Sequence, residues 1–164
     1  MPVDTELSII VREIANKLSG KEPELGVAES CTGGFLSNAI TNIPGASKFF
    51  KLSVVSYSDD VIKSVLGVKT SILKKHGIVS EETAVAMMEG VMKLGHTDIA
   101  LSVTGVAGPE RIEDRDVGLV FIAAAVRDRV ESQGFKFSGD REEIKQQASL
   151  EALRFLKRVL DIWL

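Results

Sequence analysis

Two short apolar runs in this chain each lead straight into a glycine-bearing loop. Leu25 to Ala28 runs into Glu29-Ser30-Cys31-Thr32-Gly33-Gly34, and Ile99 to Val103 runs into Thr104-Gly105-Val106-Ala107-Gly108-Pro109. The first loop is followed by Phe35, Leu36, Ala39 and Ile40 at helical spacing, which reads as strand, tight loop, helix. Such a loop presents unpaired backbone N–H groups at the positive end of a helix, and glycines without Cβ atoms let a ligand come close. Ser30 then lies beside an anion or oxyanion site. The alternative is a Ser or Thr that only caps the helix, next to glycines that only make the turn, and this segment alone leaves both open.

The remaining chain alternates helix and strand signals. Asp4 or Thr5 caps a first helix carrying Leu7, Ile10, Val11, Ile14 and Leu18, ended by Gly20. The helix after the Ser30 loop stops near Ile43, because Pro44-Gly45 cannot continue it, and Ser47 to Phe50 reads as one further turn. Residues 52 to 57 form a second strand ending at Tyr57, after which Asp59 and Asp60 start a short helix with Val61, Ile62, Val65 and Leu66 on its apolar side. Thr70 to His76 makes one or two turns closed by Gly77. Ser80 then caps a longer helix that buries Ala84, Met87, Met88, Val91 and Leu94 and ends at Gly95. After the third strand, Glu110 to Asp116 is an exposed charged loop. Val117 to Val126 is apolar enough to be covered on both faces, and Glu131 to Phe137 pairs with it through a turn at Asp128-Arg129. Asp140, with Glu143 as its capping-box partner, opens a last helix that turns Ile144, Ala148, Leu153, Leu156, Val159 and Leu160 inward.

This order implies an α/β chain with a mostly parallel five-stranded mixed sheet, one antiparallel strand, and helices on both faces. The 164 residues read as a single domain, 1–164. A net charge of −3 carries no basic surplus for nucleic acid. The lone Cys31 excludes an internal disulfide, and with two histidines it leaves few ligands for a metal; no metal or organic cofactor is required. No apolar run approaches the ~20 residues that span a bilayer, and the opening residues lack a signal-peptide pattern, so a cytoplasmic protein without a membrane partner is expected.

Ser30, Tyr57 and Thr104 to Gly108 each lie just after a strand, and in a parallel sheet the carboxyl ends of the strands share one edge where ligands bind. A serine hydroxyl needs something to take its proton and something to hold the oxyanion. The Ser30-loop amides can do the second, and Lys63 or Tyr57 the first. Competing readings are a triad through His76 or His96, Cys31 as the nucleophile, and Glu29 either as an acid or base or as a partner for its own loop amides.

With these residues in view, the chain resembles the CinA carboxy-terminal domain family, which includes stand-alone nicotinamide mononucleotide deamidases. The likeness rests on Ala28 to Gly34, Val55-Ser56-Tyr57-Ser58, Leu66-Gly67-Val68, Gly77-Ile78-Val79-Ser80, Thr104 to Pro109, and Phe137-Ser138-Gly139-Asp140-Arg141 with Gln147 and Ala148. It implies a three-layer α/β/α sandwich and hydrolysis of the carboxamide of nicotinamide mononucleotide to the acid and ammonia. The family's nucleophile falls on Ser30 and its tyrosine on Tyr57. Its pattern puts a lysine five residues after the tyrosine, where this chain has Ile62 followed by Lys63. In the charged loop Arg115 takes the place of a lysine, and Lys145 that of an arginine. The resemblance therefore implies Ser30, Tyr57 and Lys63 as catalytic candidates. Glu29, Thr32, Gly33, Gly34, Thr104, Gly105, Gly108, Arg115, Arg141 and Gln147 are candidates to bind the mononucleotide, with its phosphate near backbone amides and Arg141 or Arg115. A homo-oligomer is expected. The alternatives are a nucleotide-binding or regulatory module that has lost the chemistry, and an assembly domain whose last helix or Trp163 carries the contact.

Overall fold

The computed structural model of the protein describes residues 3–20 and 22–164. In chain order its elements are α1 (Val3–Leu18), β1 (Leu25–Glu29), α2 (Phe35–Thr41), a 3-10 turn (Ala46–Lys48), β2 (Phe50–Val55), α3 (Asp59–Ser64), α4 (Thr70–His76), α5 (Glu81–Gly95), β3 (Ile99–Gly105), β4 (Leu119–Val126), β5 (Arg129–Lys136) and α6 (Arg141–Trp163). The strands form one sheet in the order β2-β1-β3-β4-β5. β1 pairs in parallel with both β2 and β3, whereas β4 runs antiparallel to β3 and β5 and is the reversed strand.

Strand alternation divides the core in two. Leu25, Val27, Leu101, Val103, Ile122 and Ala124 point to the face covered by α1, α2 and α6, where they meet Val11, Ile14, Leu36, Ile40, Leu153 and Leu156. The opposite face presents Ala28, Ala100, Ala123 and Ala125 to Ile62, Leu66, Met87, Met88 and Val91 from α5 and the segment before it. A sheet face of alanines lets α5 lie close, and the methionine pair fills the space that small residues leave. Together the two helix layers and the sheet make the three-layer α/β/α sandwich.

Several local expectations meet their physical reasons here. Ser80 caps α5 by accepting from Thr83 N, and Asp140 with Glu143 forms the full capping box on α6. The left-handed residue that ends α5 is His96, at φ 50, not Gly95. Gly95 is a glycine for packing, since a Cβ there would lie 2.2 Å from Leu52 Cδ2. Leu94, expected inside, is 48% exposed. α1 begins at Val3, so Thr5 lies within the helix and not ahead of it, while the side chain of Asp4 falls outside the described residues. β2 ends two residues short of Tyr57, and the hairpin turns on Arg127 and Asp128, one residue earlier than expected, with Arg127 at φ 57.

Gly90 of α5 passes directly over the chain after α3, where a Cβ would stand 2.0 Å from the Leu66 carbonyl oxygen. A backbone atom cannot step aside as a side-chain tip can, so Gly90→Ala must push α5 away from its neighbour. We expect a loss of about 1–3 kcal/mol of folding stability, read by urea denaturation, despite alanine's better helix propensity. Unchanged or increased stability would show that the two segments are not held in register.

Candidate active site

The carboxyl ends of β1, β2 and β3 open on one rim. The connection from β1 runs to β2 on one side and the next, from β2, crosses to β3 on the other, which makes this the place where α/β sheets hold ligands. A cleft of about 380 Å³ lies there.

The cleft is built outward from Glu29, the last residue of β1, which is wholly buried. Its carboxylate accepts from Thr32 Oγ1 at 2.6 Å and from the backbone N–H groups of Gly34, Leu36 and Ser37 at 3.0, 3.2 and 2.8 Å. It also accepts from Ser37 Oγ, which lies 2.6 Å from Ser53 Oγ on β2. A negative charge is thus placed on the open N–H groups of α2, where dipole and hydrogen bonds both favour it. Glu29 and Thr32, expected to touch a substrate, are turned toward the helix and do not line the cleft. Of the two roles open to Glu29, the structure has it bonding its own loop.

With Glu29 holding α2, the loop turns on Gly33 N to Ser30 O at 3.1 Å, and Ser30 N bonds Val103 O at 3.0 Å, tying the loop to β3. Gly33 and Gly34 sit at φ +61 and +95, which explains the paired glycines. Gly33 faces Lys145 and Gly34 faces Val55, so both shape the loop from outside the cleft. Ser30 itself lines the cleft, half-buried, and its hydroxyl is hydrogen-bonded to no described residue. Among the lining residues, the backbone N–H groups of Cys31, Ala107 and Gly108 also donate to no described group.

Tyr57 faces Ser30's cleft with 61% of its surface exposed, and its hydroxyl accepts from Arg141 Nη2. Arg141 comes from the first turn of α6, and its Nη1 donates to the Gly108 carbonyl. One guanidinium therefore fastens the loop after β2 to the loop after β3. Ser30, Tyr57, Gly105, Gly108 and Arg141, far apart in the chain, are brought to one place.

Other candidates are placed elsewhere. Ile62 fills the cleft wall while Lys63 pairs with Asp60 at 3.0 Å on the outer side of α3, because one helical position turns a side chain by about 100°. Arg115 lies in a separate hollow with His76, Gly77 and Glu113. Gln147 Nε2 donates to Ser138 O at 2.7 Å and Glu143 O at 3.1 Å, bracing the start of α6. Thr104 is buried, its hydroxyl donating to Ile78 O at 3.0 Å. His76 pairs with Glu82 at 3.1 Å and His96 is exposed at the end of α5, so neither histidine lines the cleft. Residues that sequence reasoning did not assign to a site do line it: Arg111, Ile112, Ile78, Val79 and Asp59. Arg111 was within the charged run, but the sequence carries no sign of which arginine there borders the cleft.

Burial pushes the Cys31 thiol up to about 12, with the Glu29 carboxylate adding to the effect. A thiol so held is almost wholly protonated at neutral pH and is a poor nucleophile. We therefore expect folded protein to resist alkylation by iodoacetamide at pH 8 and to label fully once unfolded in urea, as read by mass spectrometry. Rapid labelling of the native chain would contradict this placement of Cys31.

Among the described residues, no three His, Cys, Asp or Glu side chains gather where they could hold a metal ion, and no helix is long and apolar enough to cross a membrane. The model of the CinA C-terminal domain matches residues 8–160. The chain belongs to the CinA C-terminal domain family. It is 48% identical over 134 residues to a CinA-like protein of Endomicrobium trichonymphae, an alignment that covers 81% of this chain and 31% of the relative. Against a CinA-like protein of Dictyoglomus thermophilum it is 41% identical over 158 residues, covering 96% of this chain and 38% of the relative. The chain thus spans about a third of the length of the curated relatives it matches. The crystal structure of competence damage-inducible protein A (ComA) from Klebsiella pneumoniae superimposes on this CinA-type fold with a TM-score of 0.93 at 34% identity, covering 96% of this chain and 99% of that one.

Proposed function

We propose that this chain is an amidohydrolase that converts nicotinamide mononucleotide to nicotinate mononucleotide and ammonia, with Ser30 as the nucleophile. The observation that carries the reading is a serine hydroxyl free of described partners, in a cleft it shares with the Tyr57–Arg141 pair and uncommitted backbone N–H groups. In the first half-reaction Ser30 Oγ bonds to the carboxamide carbon, and the Cys31 N–H, directly after the serine, is the donor assigned to the oxyanion. The C–N bond then breaks, and ammonia leaves carrying the proton that the serine gave up. Water adds to the resulting ester, its C–O bond breaks, and Ser30 is restored with the acid as product. With Lys63 turned away, Tyr57 is the group assigned to pass the proton.

Incubating the pure protein with the nucleotide and following ammonia together with the acid product tests the reading; no turnover overturns it. One observation favours a second reading, a nucleotide-binding module without the chemistry: neither histidine nor Lys63 lines the cleft. Calorimetric binding of the nucleotide without hydrolysis would select that reading.

A further inference from the structure

The charged loop after β3 folds back as a tight turn, with Arg115 N donating to Ile112 O at 2.8 Å and with Glu113 and Asp114 at φ 50 and 60. This geometry carries Glu113 across Gly77. There its carboxylate accepts from Ile78 N at 2.7 Å and lies 3.5 Å from Val79 N. Ile78 and Val79 form one wall of the cleft, and Arg111 and Ile112 form part of another. The carboxylate therefore ties two walls together from outside. Gly77 is what admits it, since a Cβ at that position would stand 2.3 Å from Glu113 Oε2.

Behind the tie, Arg111 is held by its Nη2 alone, which donates to Asp114 O at 2.5 Å and pairs with Asp116 at 3.2 Å. Its Nη1 and Nε edge donates to no described group. Arg141, the other arginine of the cleft, is likewise bonded through Nη1 and Nη2 and keeps Nε. Two guanidinium groups with spare donors thus border one cleft, against the carboxylates of Asp59 and Glu110. A planar guanidinium is suited to a phosphate monoester, and its donors count only when the loop holds them in place.

We propose that Arg111, and not Arg115, is the specificity residue for the phosphate of a mononucleotide, and that Glu113 is a positioning residue acting through it. The inference rests on the functional reading above for the identity of the nucleotide. Glu113 is a negative charge beside a site for an anion, so by charge alone its removal would tighten binding of a phosphate. If it works by tying the loop, its removal loosens that binding.

The test is calorimetric titration of Ser30→Ala protein, which prevents turnover, with nicotinamide mononucleotide and with its dephosphorylated riboside. Arg111→Gln, Glu113→Ala and Gly77→Ala are added singly, the last displacing the carboxylate while keeping its charge. Each is expected to weaken nucleotide binding by about tenfold and leave the riboside within about twofold. The double variant Glu113→Ala/Arg111→Gln is expected to be no weaker than Arg111→Gln alone. Tighter nucleotide binding in Glu113→Ala, equal losses for both ligands, no loss, or no binding of the nucleotide by the parent protein would overturn the inference. Should wild type fail to hydrolyse the nucleotide while these differences appear, the amidase reading falls and this one stands. Turnover without the differences has the opposite meaning.

Discussion

Ser30→Ala is expected to abolish ammonia release from nicotinamide mononucleotide, lowering kcat by roughly 10⁴-fold or more, as removal of a covalent nucleophile does. Little else should change. The hydroxyl supports no described hydrogen bond, while the residue's structural contacts, its N–H to Val103 and its carbonyl to Gly33 N, belong to the backbone. The variant should therefore unfold at the wild-type temperature and bind the nucleotide with similar affinity. Following ammonia and the thermal transition on the same preparation separates a lost nucleophile from a lost fold. Activity within tenfold of wild type would sink the assignment. The neighbouring Cys31 is not a ready substitute, with its thiol buried and pushed up to about 12.

Glu29→Ala should cost more stability than any other single change considered. It removes the shared acceptor of the buried Thr32 Oγ1 and Leu36 N–H and of the part-buried Gly34 N–H, Ser37 N–H and Ser37 Oγ, leaving these donors without it. Stripping the acceptor from two buried donors and three part-buried ones costs about 3–5 kcal/mol, at about 1–3 kcal/mol for each donor left buried and unpaired. For a chain of this length that corresponds to a fall of roughly 10 °C or more in Tm. Turnover should be lost as well, because the loop that presents Ser30 is fixed through these bonds. Glu29→Gln keeps the shape but turns an NH₂ toward donors, so it should recover only part of the loss. A change below about 1 kcal/mol in Glu29→Ala, measured by urea and thermal denaturation, would mean that the loop holds its form without the carboxylate.

How far the sequence foretold all this differs from residue to residue. The strand-loop-helix units, the caps at Ser80 and Asp140, and the common rim for Ser30 and Tyr57 followed from hydrophobic period and from the geometry of parallel strands, which are strong and local signals. The direction of Glu29 did not follow. β1 is buried along its whole length, so alternation could not say which face its last side chain takes. Ile62 and Lys63 differ by a single helical step, and the register of so short a helix depends on where its first turn closes. Arg111 and Arg115 were indistinguishable because the turn between them uses two left-handed residues that are neither glycine nor asparagine. Likewise α5 ends at Gly95 as the sequence suggested, but the left-handed cap is His96, one residue on.

The bond from Arg141 to Tyr57 spans 84 residues of chain. Ser30 and Arg111 come from still other segments, so the pocket draws on the chain all the way from Ser30 to Arg141. A pocket assembled from segments so far apart belongs to the fold as a unit and not to any one of its loops. That fits its occurrence both as nearly a full chain in the Klebsiella structure and as about a third of the longer relatives.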